Sequence, residues 1–166
     1  YNQKPTIMKN IVAVIFISLV LIQGISAQTE KQTISKTDKI VLDIKSNLNS
    51  YRKILSETDS LMDATNTNHN LTETAYKNGK ELLLVQYVDL YGPMKSAEYY
   101  FNNNQLIYIE IKNRDNSFEK TYFNDNKLIA WYKNDKEIDN TSEDFKQVEK
   151  SVIPGVEKLI KLYGNR

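Results

Sequence analysis

From Thr74 to about Ile138 the chain alternates short runs of aromatic and β-branched residues with polar corners at close intervals. That is the pattern of an antiparallel meander. The corners are KNGK at Lys77 to Lys80, YGPM at Tyr91 to Met94, NNNQ at Asn102 to Gln105, NRDNS at Asn113 to Ser117, NDNK at Asn124 to Lys127 and KNDK at Lys133 to Lys136. Between them five strands are predicted, near residues 80–90, 95–102, 105–112, 117–123 and 127–133. Asn78-Gly79 is the strongest hairpin signal, because both residues tolerate positive φ. Asn104 and Asn126 suit the same left-handed position.

On either side the apolar period changes to that of a helix. Ile40, Val41, Ile44, Leu48, Tyr51 and Leu55 form one stripe upstream, a helix of about four to six turns with Ser35 to Asp38, or Thr37, as its cap. We assign that stripe to packing on the domain's own sheet rather than to a partner or a membrane surface. Downstream, Phe145, Val148, Val152, Val156, Leu159, Ile160 and Tyr163 form another, with Thr141 and Ser142 as capping residues. Pro154 interrupts it and predicts a kink or two short helices. The fold class expected is α+β: an antiparallel meander of about five strands, flanked by an N-terminal helix and a kinked C-terminal helix in two layers.

Residues 56–74 carry no sustained period and are dense in Asn, Thr, Ser and Asp. A loop of that length in a small domain is a candidate contact segment. The single histidine, His69, lies in it and, with no metal-ligand pattern nearby, reads as a solvated loop residue.

The meander repeats itself. YYFNNNQLIYI, Tyr99 to Ile109, returns as TYFNDNKLIAW, Thr121 to Trp131, so that Tyr100 matches Tyr122, Phe101 matches Phe123 and Asn104 matches Asn126. A shorter echo pairs YKNGKEL at Tyr76 to Leu82 with YKNDKEI at Tyr132 to Ile138. Each unit reads as one hairpin, whose cross-strand aromatic and β-branched pairs are worth about 0.2–1 kcal/mol each. Two registers fit. A two-residue turn at Asn103 and Asn104 puts Phe101 opposite Leu106. A three-residue turn puts Ala97, Tyr99 and Phe101 on one face with Ile107, Ile109 and Ile111, leaving Glu98, Tyr100, Tyr108 and Glu110 on the other. A one-residue slip exchanges the faces.

The first residues change the expected location. After Met8 come Lys9, the apolar run Ile11 to Ile22 and the small-residue exit GISAQ, the three parts of a secretory signal. Residues 1–7 read as upstream of the start, 8–27 as a signal peptide cleaved after Ala27 or Ser26, 28–36 as a flexible lead-in, and 37–166 as one domain. The apolar run is shorter than the roughly 20 residues of a spanning helix, so no stable membrane span is expected after cleavage. There is no cysteine, and the net charge is +1. A cysteine-free exported chain points to the periplasm or the medium around a bacterium. Near-neutral charge with interleaved Lys and acids argues against nucleic acid. The sequons at Asn70 and Asn140 are common chance matches in an asparagine-rich chain.

Residues Ala75 to Asn113, followed by YFNDNKLIAWYKNDKEI, resemble a family of small uncharacterised exported bacterial proteins with a strand ending in Tyr-Gly and hairpins of the form YYFxxGxL and YFxxGxL. The matching positions are Tyr91 and Gly92, Tyr99 to Leu106, and Tyr122 to Leu128 with Trp131 following. Asn104 and Asn126 stand where that family usually has Gly. The units also look like MORN-type hairpin repeats without their interior glycines. The resemblance implies the hairpins and export, and brings no activity or cofactor.

No phosphate loop, zinc pair, nucleophile elbow or cysteine nucleophile occurs, so catalytic, cofactor and metal residues are each expected to be none. The remaining enzymatic route is a carboxylate pair, for which Glu98 and Glu110 are candidates, with charge partnered by Lys95 or Lys112 as the plainer reading. Aromatic side chains displayed on a sheet offer rigid contact area at small entropy cost. Tyr99, Tyr100, Tyr108, Tyr122 and Trp131 are therefore the candidate partner-binding residues of a non-enzymatic module, together with the 56–74 loop, for an unknown protein, peptide or glycan, with packing of Tyr100, Tyr108 and Tyr122 under a terminal helix as the plainer reading. A small periplasmic hydrolase and an accessory subunit of an envelope complex are the alternatives.

Overall fold

The computed structural model describes residues 28–57, 61–62, 68–69 and 71–164. The expected signal peptide lies outside them. The chain divides at Lys36 and Thr37 into two units. Residues 28–46 are α-helical (α1), so the expected lead-in at 28–36 is wound as helix. In the second unit α1 is followed by a 3₁₀ turn at Leu48–Ser50 and by β1 (Arg52–Glu57), β2 (Leu61–Met62), β3 (Asn68–His69), β4 (Leu71–Asn78) and β5 (Glu81–Asp89). Then come β6 (Met94–Asn102), β7 (Gln105–Asn113), β8 (Phe118–Asn124), β9 (Lys127–Lys133), β10 (Lys136–Glu137) and α2 (Glu143–Leu159).

The fold is α+β, but the sheet has eight strands rather than about five, in the order β1-β4-β5-β6-β7-β8-β9-β10, every pair antiparallel. The five expected strands are β5 to β9. The expected upstream helix ran through Tyr51 and Leu55, but α1 stops at residue 46. There Asn47 turns back, its backbone and side-chain N–H groups both donating to the Asp43 carbonyl. The following Arg52–Glu57 pairs with β4 instead, and Leu55 is exposed. β4 is the first arm of the Asn-Gly hairpin, half hidden in sequence by its Thr-Glu-Thr start. Within the expected 56–74 loop, β2 and β3 pair as a separate two-stranded sheet that includes His69.

Both register readings of the repeated hairpin hold part of the answer. Asn103 and Asn104 form a two-residue turn at φ 53° and 58°, Asn102 faces Gln105 and Phe101 faces Leu106. The register then slips, so that Tyr100 faces Tyr108 and Tyr99 faces Ile109. Ile107 is the extra residue, a β-bulge. The second copy is built alike: Asp125 and Asn126 at φ 50° and 62°, Phe123 opposite Leu128, Tyr122 opposite Ala130, and Ile129 as the bulge. The Gly79 corner has its bulge at Leu83. The YKNDKEI echo is different, because its turn residues are Asn134 and Asp135, at φ 51° and 60°. Lys133 faces Lys136 there, one position earlier than the matching letters imply.

The bulges sort side chains between two faces. Ala75, Val85, Phe101, Leu106, Ile109, Phe123, Leu128 and Trp131 gather on one, packed with Phe145, Val156, Leu159 and Tyr163 from the C-terminal segment. Each of the Val, Leu, Ile and Phe side chains taken out of water is worth about 1.5–3 kcal/mol. Tyr100, Tyr108 and Tyr122 point to the opposite face, where Val41 and Ile44 of α1 are buried. Residues 37–46 of α1 and the C-terminal α2 thus lie on opposite faces of the sheet, so the second unit has helix, sheet and helix layers rather than two. Ser142 caps α2, its hydroxyl accepting from the Phe145 N–H at 3.2 Å. α2 runs unbroken through Pro154, and only at Ile160–Gly164 does it change to π winding. Pro154 and Gly155 lie on the exposed side, so the lost hydrogen bond falls where water can replace it.

Candidate functional site

The tyrosine-bearing face is built by strand alternation. One row across the sheet reads Leu84, Tyr100, Tyr108, Tyr122 and Ala130, and the next reads Gln86, Glu98, Glu110, Lys120 and Tyr132. The rings stand in file, with centroids 5.7 Å apart for Tyr100 and Tyr108, 4.9 Å for Tyr108 and Tyr122 and 5.9 Å for Tyr122 and Tyr132.

Tyr100, Tyr108, Tyr122 and Trp131 are buried. The plainer reading of the three tyrosines, packing under a terminal helix, is what the structure has, and none of these four displays an exposed aromatic surface. Residues 37–46 of α1 account for the cover: the Tyr122 hydroxyl donates to Asp38 at 2.9 Å, and the Lys45 ammonium sits 5.4 Å from the Tyr100 ring centre. Trp131 is on the other face and donates its indole N–H to Glu119 at 3.1 Å. Tyr99 also belongs to that face, half-buried and edge-on to Tyr87 at 5.7 Å. The five residues do not form one surface, because Tyr99 and Trp131 point away from the other three.

The carboxylates are brought together as expected, Glu98 directly opposite Glu110, and both are compensated. Lys45 donates to Glu110 at 2.6 Å and lies 3.7 Å from Glu98. Lys112 holds the other oxygen of Glu110 at 3.0 Å. Glu98 accepts from the Tyr100 hydroxyl at 2.6 Å and from the Gln86 amide at 3.0 Å. Burial pushes the Glu110 carboxyl up, but the hydrogen bonds and charges of Lys45 and Lys112 outweigh it and hold the group below the usual carboxylate range. The Lys112 ammonium is raised in return, chiefly by its bond to Glu110. Burial drives the Tyr100 and Tyr108 phenols far above their usual range, with the Glu98 and Glu110 charges adding to it. Both carboxylates thus sit in a network of ammonium, amide and phenol donors. Among the described residues no group of His, Asp or Glu is disposed to hold a metal ion.

Among the exposed large apolar side chains, which include Leu42, Leu55 and Leu162, two neighbours stand together at the end of the sheet that carries the β5–β6 and β7–β8 connections. The loop between β5 and β6 carries Leu90 at 50% and Tyr91 at 67% exposure. It is held firmly: Asp89 accepts from the N–H groups of Tyr91 at 3.0 Å and Gly92 at 2.7 Å. Arg114, from the β7–β8 corner, donates to the carbonyls of Gly92 at 2.7 Å and Asp89 at 2.6 Å. Beside that corner a cavity of about 350 Å³ opens among Lys95, Lys112, Lys120, Asn116 and Phe118. Sequence reasoning treated YGPM only as a corner. The available signal was an apolar Leu-Tyr pair in a turn opened by Asp, where polar residues are the rule.

No protein-family model matches the chain, and neither a curated protein nor a solved structure matches it.

Proposed function

We propose that this chain is a non-enzymatic binding module that works outside the cytoplasm, in the periplasm or the medium, and that its contact surface is the Leu90–Tyr91 loop with the neighbouring β7–β8 corner. The observation that carries the reading is the pairing of exposure with restraint in that loop. Two large apolar side chains stand in water on a backbone already fixed by Asp89 and Arg114. Exposed apolar groups on a preformed loop lose little entropy when a partner covers them. Compensation of Glu98 and Glu110 supports the non-enzymatic reading against a carboxylate hydrolase, which needs one acid kept protonated. The signal-like pattern at Met8 to Ala27 supports export. Tyr91 and Gly92 are also the Tyr-Gly of the exported family that the hairpins resemble.

The test is retention of a periplasmic or culture-medium partner on the immobilised protein, compared with a Leu90→Ser, Tyr91→Ser double variant. Retention by the parent and loss by the variant, with both melting at the same temperature, is the expected result. Equal retention by the two, or none by either, overturns the reading. N-terminal sequencing of the exported chain checks the leader, with Gln28 or Ala27 expected as the first residue.

A further inference from the structure

On the α1-bearing face the row beyond Glu98 and Glu110 consists of Ser96, Lys112 and Phe118, and the 350 Å³ cavity lies over it. Two of its three ammonium groups are engaged, Lys112 with Glu110 at 3.0 Å and Lys120 with Asp135 at 3.0 Å. Lys95 forms no ion pair among the described residues. It is also the extra residue of a β-bulge: Met94 faces Asn113 and Ser96 faces Lys112, leaving Lys95 without a cross-strand partner. A bulge re-aims a side chain, and here the re-aimed side chain lines the cavity. With Lys112 matched by Glu110 and Lys120 by Asp135, the Lys95 ammonium leaves the groove one positive charge uncompensated among the described residues. A concave site with an excess of one sign concentrates ligands of the other.

The cavity's size and walls narrow the ligand. Its volume is at the lower end of the range for small-molecule sites, so a bare anion leaves most of it unfilled. The half-buried Phe118 ring supplies an apolar wall, with the Lys120 ammonium 4.9 Å from its centre, and the Asn116 amide supplies hydrogen bonds. Lysines act as point charges, without the forked donors with which arginine selects phosphate. We infer that this groove binds a sugar ring bearing a carboxylate, with the carboxylate between Lys95 and Lys112 and the ring against Phe118. The inference rests on the binding-module reading and names the ligand class at the same end of the sheet.

Amide chemical shifts of the full chain are followed on titration with trigalacturonic acid, neutral galactotriose and inorganic phosphate. Saturable shifts centred on Lys95, Asn116 and Phe118 are expected with the acidic sugar alone. Lys95→Gln, which alters no ion pair, is expected to weaken that binding about tenfold without changing the melting temperature. Absence of saturation by the acidic sugar, equal binding of the neutral one, or indifference to Lys95→Gln overturns the inference. Phosphate binding as tight as the acidic sugar overturns its ring component. Partner retention through Leu90 and Tyr91 is measured in parallel: if it persists while the sugar fails, the ligand class falls and the module stands; if both fail, both fall.

Discussion

The two faces of the sheet are stabilised in different ways, although the same strands supply both. Under α2 the contacts are mainly apolar, made by side chains such as Phe101, Phe123 and Leu106, each almost wholly buried, with one buried polar link, the Tyr163 hydroxyl donating to Glu73. Under α1 the same strands present tyrosines and glutamates, joined to the helix through Asp38 and Lys45. Every buried side-chain nitrogen and oxygen among the described residues has a partner. The first face depends on volume and tolerates similar shapes. The second depends on each hydrogen bond being made, because an orphaned buried polar group costs about 1–3 kcal/mol. A helix can therefore cover a polar-aromatic face as closely as an apolar one, provided it carries the right charges at the right turns.

The largest effect is expected on the apolar side. Phe123→Ala leaves a void in a packed core and should cost about 3–5 kcal/mol in denaturant unfolding; a loss under 1 kcal/mol would mean that this face is loosely packed. Tyr100→Phe probes the other face, removing the hydroxyl that donates to Glu98, and should cost about 1.5–3 kcal/mol. Tyr99→Phe, on the apolar side, should stay within about 0.5 kcal/mol. Equal effects of the two phenylalanine variants would erase the contrast between the faces.

Acid titration sharpens it further. The Glu110 carboxyl is held below its ordinary range in the folded protein, so the stability it contributes is complete above the ordinary carboxylate range and is lost as the pH falls through the lowered value. Glu110→Gln should cost about 1 kcal/mol near neutrality, discounted for the partial exposure of Lys45 and Lys112. The difference from the parent should vanish in strong acid. A gap that widens on acidification would contradict the assignment.

An effect of similar size separates the two corners that generate both faces. Asn104 is left-handed, yet its side-chain oxygen also accepts from the Leu82 N–H at 2.9 Å, tying its hairpin to the preceding one. Asn126 has the same backbone and stands exposed. Asn104→Gly should therefore lose about 0.5–1.5 kcal/mol, whereas Asn126→Gly should be neutral or slightly stabilising, since glycine suits positive φ. Melting temperatures of the pair decide it. Asparagine at the first corner is thus more than a tolerated substitute for glycine.

Five strands of the meander were legible because corner chemistry is local: Asn, Asp and Gly declare positive φ wherever they stand. α2 was legible through its cap and its stripe. The outer strands were not. Arg52–Glu57 carries Ile54 and Leu55 at a spacing that also continues the helical stripe of α1, and only pairing with β4 selects extended backbone. The tyrosines were legible as a set and packing under a helix as their plainer reading, but which helix covers them was not, because period-2 alternation names a face without naming what covers it.

The sequence by itself determined the hairpin corners, the alternation of the strands between them and the presence of a helix at each end, since these depend on backbone preferences within a few residues. Only the tertiary structure decided the bulges at Leu83, Ile107 and Ile129, the covering of the tyrosines by α1 and the turning of Lys95 into the groove. Each of those is set by contacts between segments distant in the chain, whose free energies exceed any local preference.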